Sequence, residues 1–399
     1  MKHSKKITQI LLFALLFAQC KSETKAPSNT SSPVVTPVAS SPEQPEKYLY
    51  VVETDNLLLR DQPSQQSSKV ITKFKSGTIL TGAGVVSSNK ETATIRGMEL
   101  TEPFIQVSSN SPEVPQGWAF GGALQTIYAG SKANSPDLVK LGQLGTFLNT
   151  LNPKKLDSGK KAWDHVKSNF ADASGSLADA ATILLDKFMR RMEFEGEYYN
   201  ITEKMKWAET DYEAIANEKF DMNKYPQTKA FAENGMRLEV GEGMYFPVSD
   251  YQFFGQFFGN KVTPAMKSWL SQSLLEQKDA MSSDGGIIIP LEQVADRAVF
   301  WAKFNAENPW FPYSAQTTES EKWMHLVLAN GTNNSNVFGE EEKVMPEFTA
   351  MWKYILDKYP GTKAAKIAKD MTDLMVASNG KRNEAVNAYQ EKLALDYSN

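Results

Sequence analysis

The spacing of the apolar residues changes once along this chain of 399 residues, and the change decides what each part can fold into. Between Tyr48 and Phe120 they fall in short runs: Tyr48-Leu-Tyr-Val-Val52, Asn56-Leu-Leu-Leu-Arg60, Lys69-Val-Ile-Thr-Lys-Phe74. The third alternates apolar and polar side chains, and turn residues such as Asp61, Pro63 and Gly77 lie between the runs. Short runs of this kind predict strands, with further ones expected over 78–81, 92–95, 104–107 and 117–120. From Pro136 onward the spacing is three or four. Leu177, Ala181, Leu184, Leu185, Phe188 and Met192 fall on one helical face, as do Ala364, Ile367, Ala368, Met371, Leu374 and Met375. The expected fold class is therefore multidomain: a small all-β barrel over 47–130, then a larger all-α domain of helical hairpins or repeats over 136–399.

The stretch Asn56 to Thr78 carries an Asn-x-Arg strand, a Pro-Ser loop, a Lys-Val-Ile strand and a Lys-x-Gly turn. Gly117-Trp118-Ala119-Phe120 follows, with Leu124 shortly after. In this order the pieces resemble the bacterial SH3-like (SH3b) domain. The resemblance covers about a fifth of the chain and leaves 82–102 and 108–116 longer than that family needs. It implies a binding module for peptidoglycan, a peptide or a protein. Two readings stand for Trp118: a core residue filling a barrel with room for few large side chains, or a ligand contact, with Phe120 a second ligand-contact candidate. Gly77 is expected to take positive φ in its turn.

In the helical region, Lys224-Tyr-Pro-Gln-Thr-Lys-Ala230 returns as Lys358-Tyr-Pro-Gly-Thr-Lys-Ala364, with a looser cousin at Trp310-Phe-Pro-Tyr-Ser314. A residue before proline is pushed out of the α region and ends one helix. A Thr or Ser two residues after the proline can cap the next. The joint resembles those of tetratricopeptide-type envelope lipoproteins, although a 34-residue period is not visible. Helices are expected near 138–151, 160–172, 177–192, 197–219, 264–282, 291–306, 319–329, 346–358, 364–378 and 385–393. The stretch 241–259, rich in aromatics and glycine, is expected to be non-helical: either a loop packed by its own rings or a ligand groove.

At the other end, Lys2, Lys5 and Lys6 precede an unbroken apolar run over 10–18, too short to span a membrane and shaped like a secretory signal. It runs into Cys20, the only cysteine. This resembles the lipobox of bacterial lipoproteins, with Gln19 and Phe17 where that family usually has a small residue and Leu. The resemblance implies cleavage of 1–19 and acylation of Cys20 by diacylglyceryl and a further acyl chain such as palmitate. An ordinary secretory signal is the alternative. Residues 21–46 hold five prolines, six serines, three threonines and no aromatic, a composition expected to form a disordered tether. Lys21 after the cysteine favours the outer membrane by analogy with lipoprotein sorting.

Composition narrows the chemistry. Net charge is −4, and without residues 1–19 it becomes −7, from 40 basic and 47 acidic residues. Nucleic acid is therefore not the expected partner. One cysteine and three histidines leave no disulfide, no cysteine nucleophile–histidine pair beyond the anchor, and no ligand-spaced metal set. His165 and His325 stand apart from any cluster. Glu319 and Glu321 are expected to begin a helix, although a muralytic enzyme could use one such carboxylate. Asn330, Thr332, Asn334, Asn336 and Glu341 have a calcium-loop rhythm without its aspartates. No catalytic residue, metal or cofactor is assigned. The expected function is a non-enzymatic, lipid-anchored envelope protein. Its partners would be the membrane, peptidoglycan or a wall peptide, and an envelope protein. A muralytic enzyme or a small-ligand-binding helical lipoprotein are the alternatives.

Overall fold

A computed structural model describes residues 48–95, 97–109, 113–129, 135–241 and 243–398. The signal, Cys20 and the tether fall outside the described residues. The chain has a β-rich N-terminal region and a helical C-terminal region, with about 50% helix and 21% strand.

Eight strands build the first region: β1 (Tyr48–Val52), β2 (Leu57–Arg60), β3 (Val70–Phe74), β4 (Ile79–Gly82), β5 (Val86–Ile95), β6 (Met98–Val107), β7 (Gly117–Phe120) and β8 (Leu124–Ala129). They form two antiparallel sheets, ordered β4-β1-β8 and β3-β2-β7-β6-β5, which meet at a bridge between Thr81 and Ser108. Most of 82–102, longer than the SH3-like family needs and expected to hold one strand at 92–95, belongs to a hairpin with ten-residue arms. Its Lys, Glu and Thr residues pair across the ladder, with Thr92 facing Thr101. Because both faces of that hairpin are largely exposed, it lacks the apolar alternation that marks a half-buried strand.

Strand β1 is buried on both faces, as a strand between two layers must be. Tyr48, Tyr50 and Val52 join Leu59, Leu80, Phe104 and Ala119 in the core between the sheets. Leu49 and Val51, on the alternate face, join Ile79 and Ile127 in a second core shared with the helices. Gly77 takes φ of +83°, and a Cβ there would lie 2.5 Å from the Thr146 backbone nitrogen, so only glycine lets this turn approach the first helix so closely.

The helical region opens with α1 (Ser135–Thr150), α2 (Asp157–Asn169) and α3 (Ser176–Glu195). Helix α3 is buried around most of its circumference and is the centre of the molecule. Short helices α4 (Tyr199–Thr202) and α5 (Asp211–Ala216) follow where one longer helix was expected over 197–219, and α6 (Pro226–Glu233) comes after them. The region is also not purely α. Hairpin β9 (Met236–Gly241) and β10 (Met244–Ser249) occupies much of the aromatic, glycine-rich stretch, and the rest is helix α7 (Tyr251–Phe258). The expectation of a non-helical segment there fails at α7. Asp250 caps it by accepting from the Gln252 N–H, and the rings of Phe254 and Phe258 are buried, at 4.9 and 6.4 Å from Trp163. Apolar burial on this scale outweighs the roughly 1 kcal/mol that Gly255 costs in a helix.

Next come α8 (Pro264–Lys278), the small hairpin β11 (Ser282–Ser283) and β12 (Gly286–Ile287), α9 (Leu291–Glu307) and α10 (Ser314–Asn330). A second small hairpin, β13 (Gly331–Thr332) and β14 (Ser335–Asn336), precedes α11 (Pro346–Lys358), α12 (Lys363–Ala377) and α13 (Glu384–Ser398). Helix α9 packs on α10 and α11, α10 on α12, α11 on α12, and α13 on α10 and α12. These are two stacked helical hairpins with a closing helix. No helix among the described residues is long and apolar enough to cross a membrane.

The recurring joints share a device beyond the proline. Tyr225 donates its hydroxyl to Asp211 at 2.6 Å, and Lys224 pairs with the same carboxylate. Tyr359 donates to Asp296 at 2.7 Å, and Lys358 pairs with it at 3.2 Å. At the looser joint Tyr313 donates to Asp186 at 2.8 Å. Each joint thus fastens a tyrosine to an aspartate on an earlier helix. Thr362 caps α12 as expected, accepting from the Ala365 N–H at 3.1 Å. Thr228 caps α6 from inside its first turn, accepting from the N-cap Tyr225 N–H at 3.4 Å and donating to the Met222 carbonyl at 2.7 Å.

Candidate functional site

Trp118 is half-buried on β7. The ladder sets it opposite Arg60 on β2 and Gln106 on β6. Phe120, two residues along the same face, is 6% exposed and meets Phe104 edge-on at 5.9 Å. Of the two candidate ligand contacts, Phe120 is therefore closed off by packing. Trp118 packs against the core with part of its surface and keeps the rest toward solvent, between a guanidinium and an amide. Trp118 thus lies at the border of the core between the sheets, whose interior holds Tyr50, Leu59, Phe104 and Ala119. The Arg60 guanidinium donates to Ser68 Oγ at 3.1 Å, which braces it against the loop after β2 and leaves further donors on its fork. An aromatic ring beside an arginine and an amide can stack on a flat apolar face and hydrogen-bond its polar rim.

The strongest titratable cluster lies on α3 and was not anticipated. Asp186 is fully buried and accepts three hydrogen bonds: from Arg190 Nε at 3.0 Å, Tyr251 at 3.0 Å and Tyr313 at 2.8 Å. Burial, and then the Asp186 charge, hold both tyrosines well above their ordinary value. Two turns along α3, Glu193 accepts from the Ser249 N–H at 2.6 Å and is pushed up by burial. Glu239 on β9 is pushed up by burial, with the Glu193 charge adding to the effect. Two neighbouring carboxyls both pushed up by burial are a recurrent acid–base arrangement. Here they also knit elements together: Gln277 donates to the Ser249 carbonyl and accepts from the Tyr251 N–H. Ser249 Oγ is buried without a partner.

His325, on α10, is 0% exposed. Its Nδ1 lies 2.8 Å from the Tyr397 hydroxyl and 4.0 Å from Glu321, and its Nε2 is buried without a partner. Burial lowers it to about 4. Glu321 is buried in mid-helix, not at a helix start, and accepts from Asn305 at 2.8 Å and Lys363 at 2.7 Å. Glu319 pairs with Lys322 on the surface. His165 stacks on Phe147 at 3.9 Å, away from His325. The calcium-like stretch is the β13–β14 hairpin, and no cluster of metal-ligating side chains occurs among the described residues.

Compared with protein-family models, with curated proteins and with solved structures, the chain matches none.

Proposed function

We propose that this is a lipid-anchored protein of the bacterial envelope that binds the cell wall. Cys20 carries the lipid, residues 21–46 form the tether, and the outer membrane is the favoured home. The two sheets, closed over one apolar core, serve as an SH3-like barrel that recognises peptidoglycan or a wall peptide. The stacked helices serve as a surface for a second protein. The observation that carries the reading is Trp118, half-buried opposite Arg60 and Gln106 on a sheet whose other large aromatics are packed away. Ring stacking with flanking donors suits the alternating apolar and polar faces of a sugar or a short peptide.

A second reading, a muralytic enzyme, is favoured by the raised pair Glu193 and Glu239. One experiment tests both: sedimentation of the whole chain with purified, protein-free peptidoglycan, with the supernatant analysed for soluble fragments. Pelleting without fragment release is expected. Released fragments would move the function to the carboxylates, and a protein that stays in the supernatant would overturn wall binding. The whole chain is needed because Leu49, Val51 and Ile79 complete the core of the helices. A truncation before α1 would expose that core.

A further inference from the structure

The two small hairpins of the helical region are locked together. The Asn334 N–H donates to the Gly285 carbonyl at 2.9 Å, and the Ile287 N–H donates to Ser335 Oγ at 2.9 Å. The first turns through Asp284 and Gly285, both at positive φ, the pattern of a tight two-residue hairpin turn. Between the hairpins and the start of α11 lies a groove of about 370 Å³. Its apolar lining is Ile287, Ile289, Leu291, Phe338, Met345 and Phe348, and Asn334, Asn336 and Glu347 add polar groups. Ile288, next in the chain, is 60% exposed. This volume lies at the lower end of the range for ligand sites.

The charge around it is predominantly negative. Glu347 lines the groove, Glu340 follows the lining residue Gly339, and Glu292 follows the lining residue Leu291. All three are exposed and make no ion pair among the described residues. Of the nearby cations, Lys343 pairs with Glu341 at 2.6 Å and Arg382 pairs with Glu342 at 3.7 Å while lying over the Phe338 ring, which leaves the exposed Lys381, bridged to Lys343 through the backbone, against these three glutamates. From the apolar floor and this acidic rim we infer that the groove receives a cationic peptide segment of a partner protein, inserting one or two large apolar side chains with lysines or arginines alongside. The rim repels anionic lipid and nucleic acid, and it repels a second copy of itself. The chain's own residues 21–46 carry no aromatic and more acid than base, so they are a poor occupant.

This inference rests on the reading of the helices as a protein-binding surface. Its test does not involve the sheets, so either can fail alone. The whole chain is titrated, at physiological ionic strength, into a fluorescein-labelled twelve-residue peptide with two central leucines flanked by lysines. Two control peptides replace the lysines by glutamate or the leucines by serine. The double substitution Glu340→Lys and Glu347→Lys is titrated in parallel after its unfolding midpoint has been checked. Saturable binding of the first peptide is expected, weakened about ten-fold or more by either control and by the double substitution. The inference is overturned if the first peptide does not bind, if the serine control binds equally, or if the double substitution leaves the affinity unchanged.

Discussion

Replacement of Asp186 by alanine is expected to destabilise the protein by about 3–5 kcal/mol, read as a fall in the denaturant midpoint at unchanged slope. The carboxylate is fully buried and holds three donors, one from α3 itself, one from α7 and one from the joint before α10. Removing it strands the hydroxyl of Tyr313, itself 4% exposed, and uncouples Arg190 and Tyr251 from their anchor. Tyr313 retains only a long contact of 3.3 Å to the Ile183 carbonyl. Asp186→Asn keeps one acceptor oxygen and the shape but loses the charge, so it is expected to cost about half as much, since hydrogen bonds to a charged group are roughly twice as strong as neutral ones. A loss under about 1 kcal/mol for the alanine variant would mean that the network does not clamp α3 to its neighbours.

The second large effect appears on acidification. His325 is lowered by burial to about 4, against an ordinary 6.5. The unfolded chain therefore takes up a proton near pH 6.5 that the folded chain refuses until about pH 4. The stabilisation from the neutral ring is complete above 6.5 and is lost as pH falls from 6.5 toward 4, a total on the order of 3 kcal/mol. Asp179 works in the opposite direction. Burial raises it to about 6, so the folded state gains stability as pH falls through 6 toward the ordinary carboxylate value. Comparing the wild type with His325→Gln over pH 4–7 cancels that opposing contribution. The expected result is a steeper acid loss in the wild type, and parallel curves would contradict it. Release of α13, which Tyr397 and Val386 dock onto the core, is where the loss should first show as hydrogen exchange.

What could be read from the sequence followed apolar periodicity. The strands at 48–52, 70–74 and 117–120 and the helices at 291–307, 346–358 and 363–377 lie where the spacing put them. The hairpin of β5 and β6 was marked only at 92–95 and at its buried end, 104–107; the rest was hidden because its side chains are largely exposed and no alternation records it. Helix α7 was hidden because Gly255 and the aromatics read locally as a loop, whereas Trp163, ninety residues earlier, supplies the packing. Asp186 and Arg190 look from sequence like a surface pair one turn apart. What buries the aspartate is Tyr251 and Tyr313, 65 and 127 residues away. The lysine–tyrosine–proline repeat was visible, but the aspartates that receive its hydroxyls, Asp211 and Asp296, are at unequal distances and could be matched only in space.

The most direct measurement is the wall sedimentation of Trp118→Ala beside the wild type and Arg60→Ala, with thermal unfolding recorded for each. Trp118 packs part of its ring on the core, so its removal also costs stability, and the unfolding record separates that cost from a loss of binding. Trp118→Ala is expected to reduce the affinity for peptidoglycan about ten-fold while still unfolding cooperatively, at a lower midpoint, and Arg60→Ala to reduce it by a smaller factor with a midpoint near that of the wild type. If Trp118→Ala pellets as the wild type does, the β-rich region does not hold the wall through this face, and the account of the sheets as a wall-binding module is wrong.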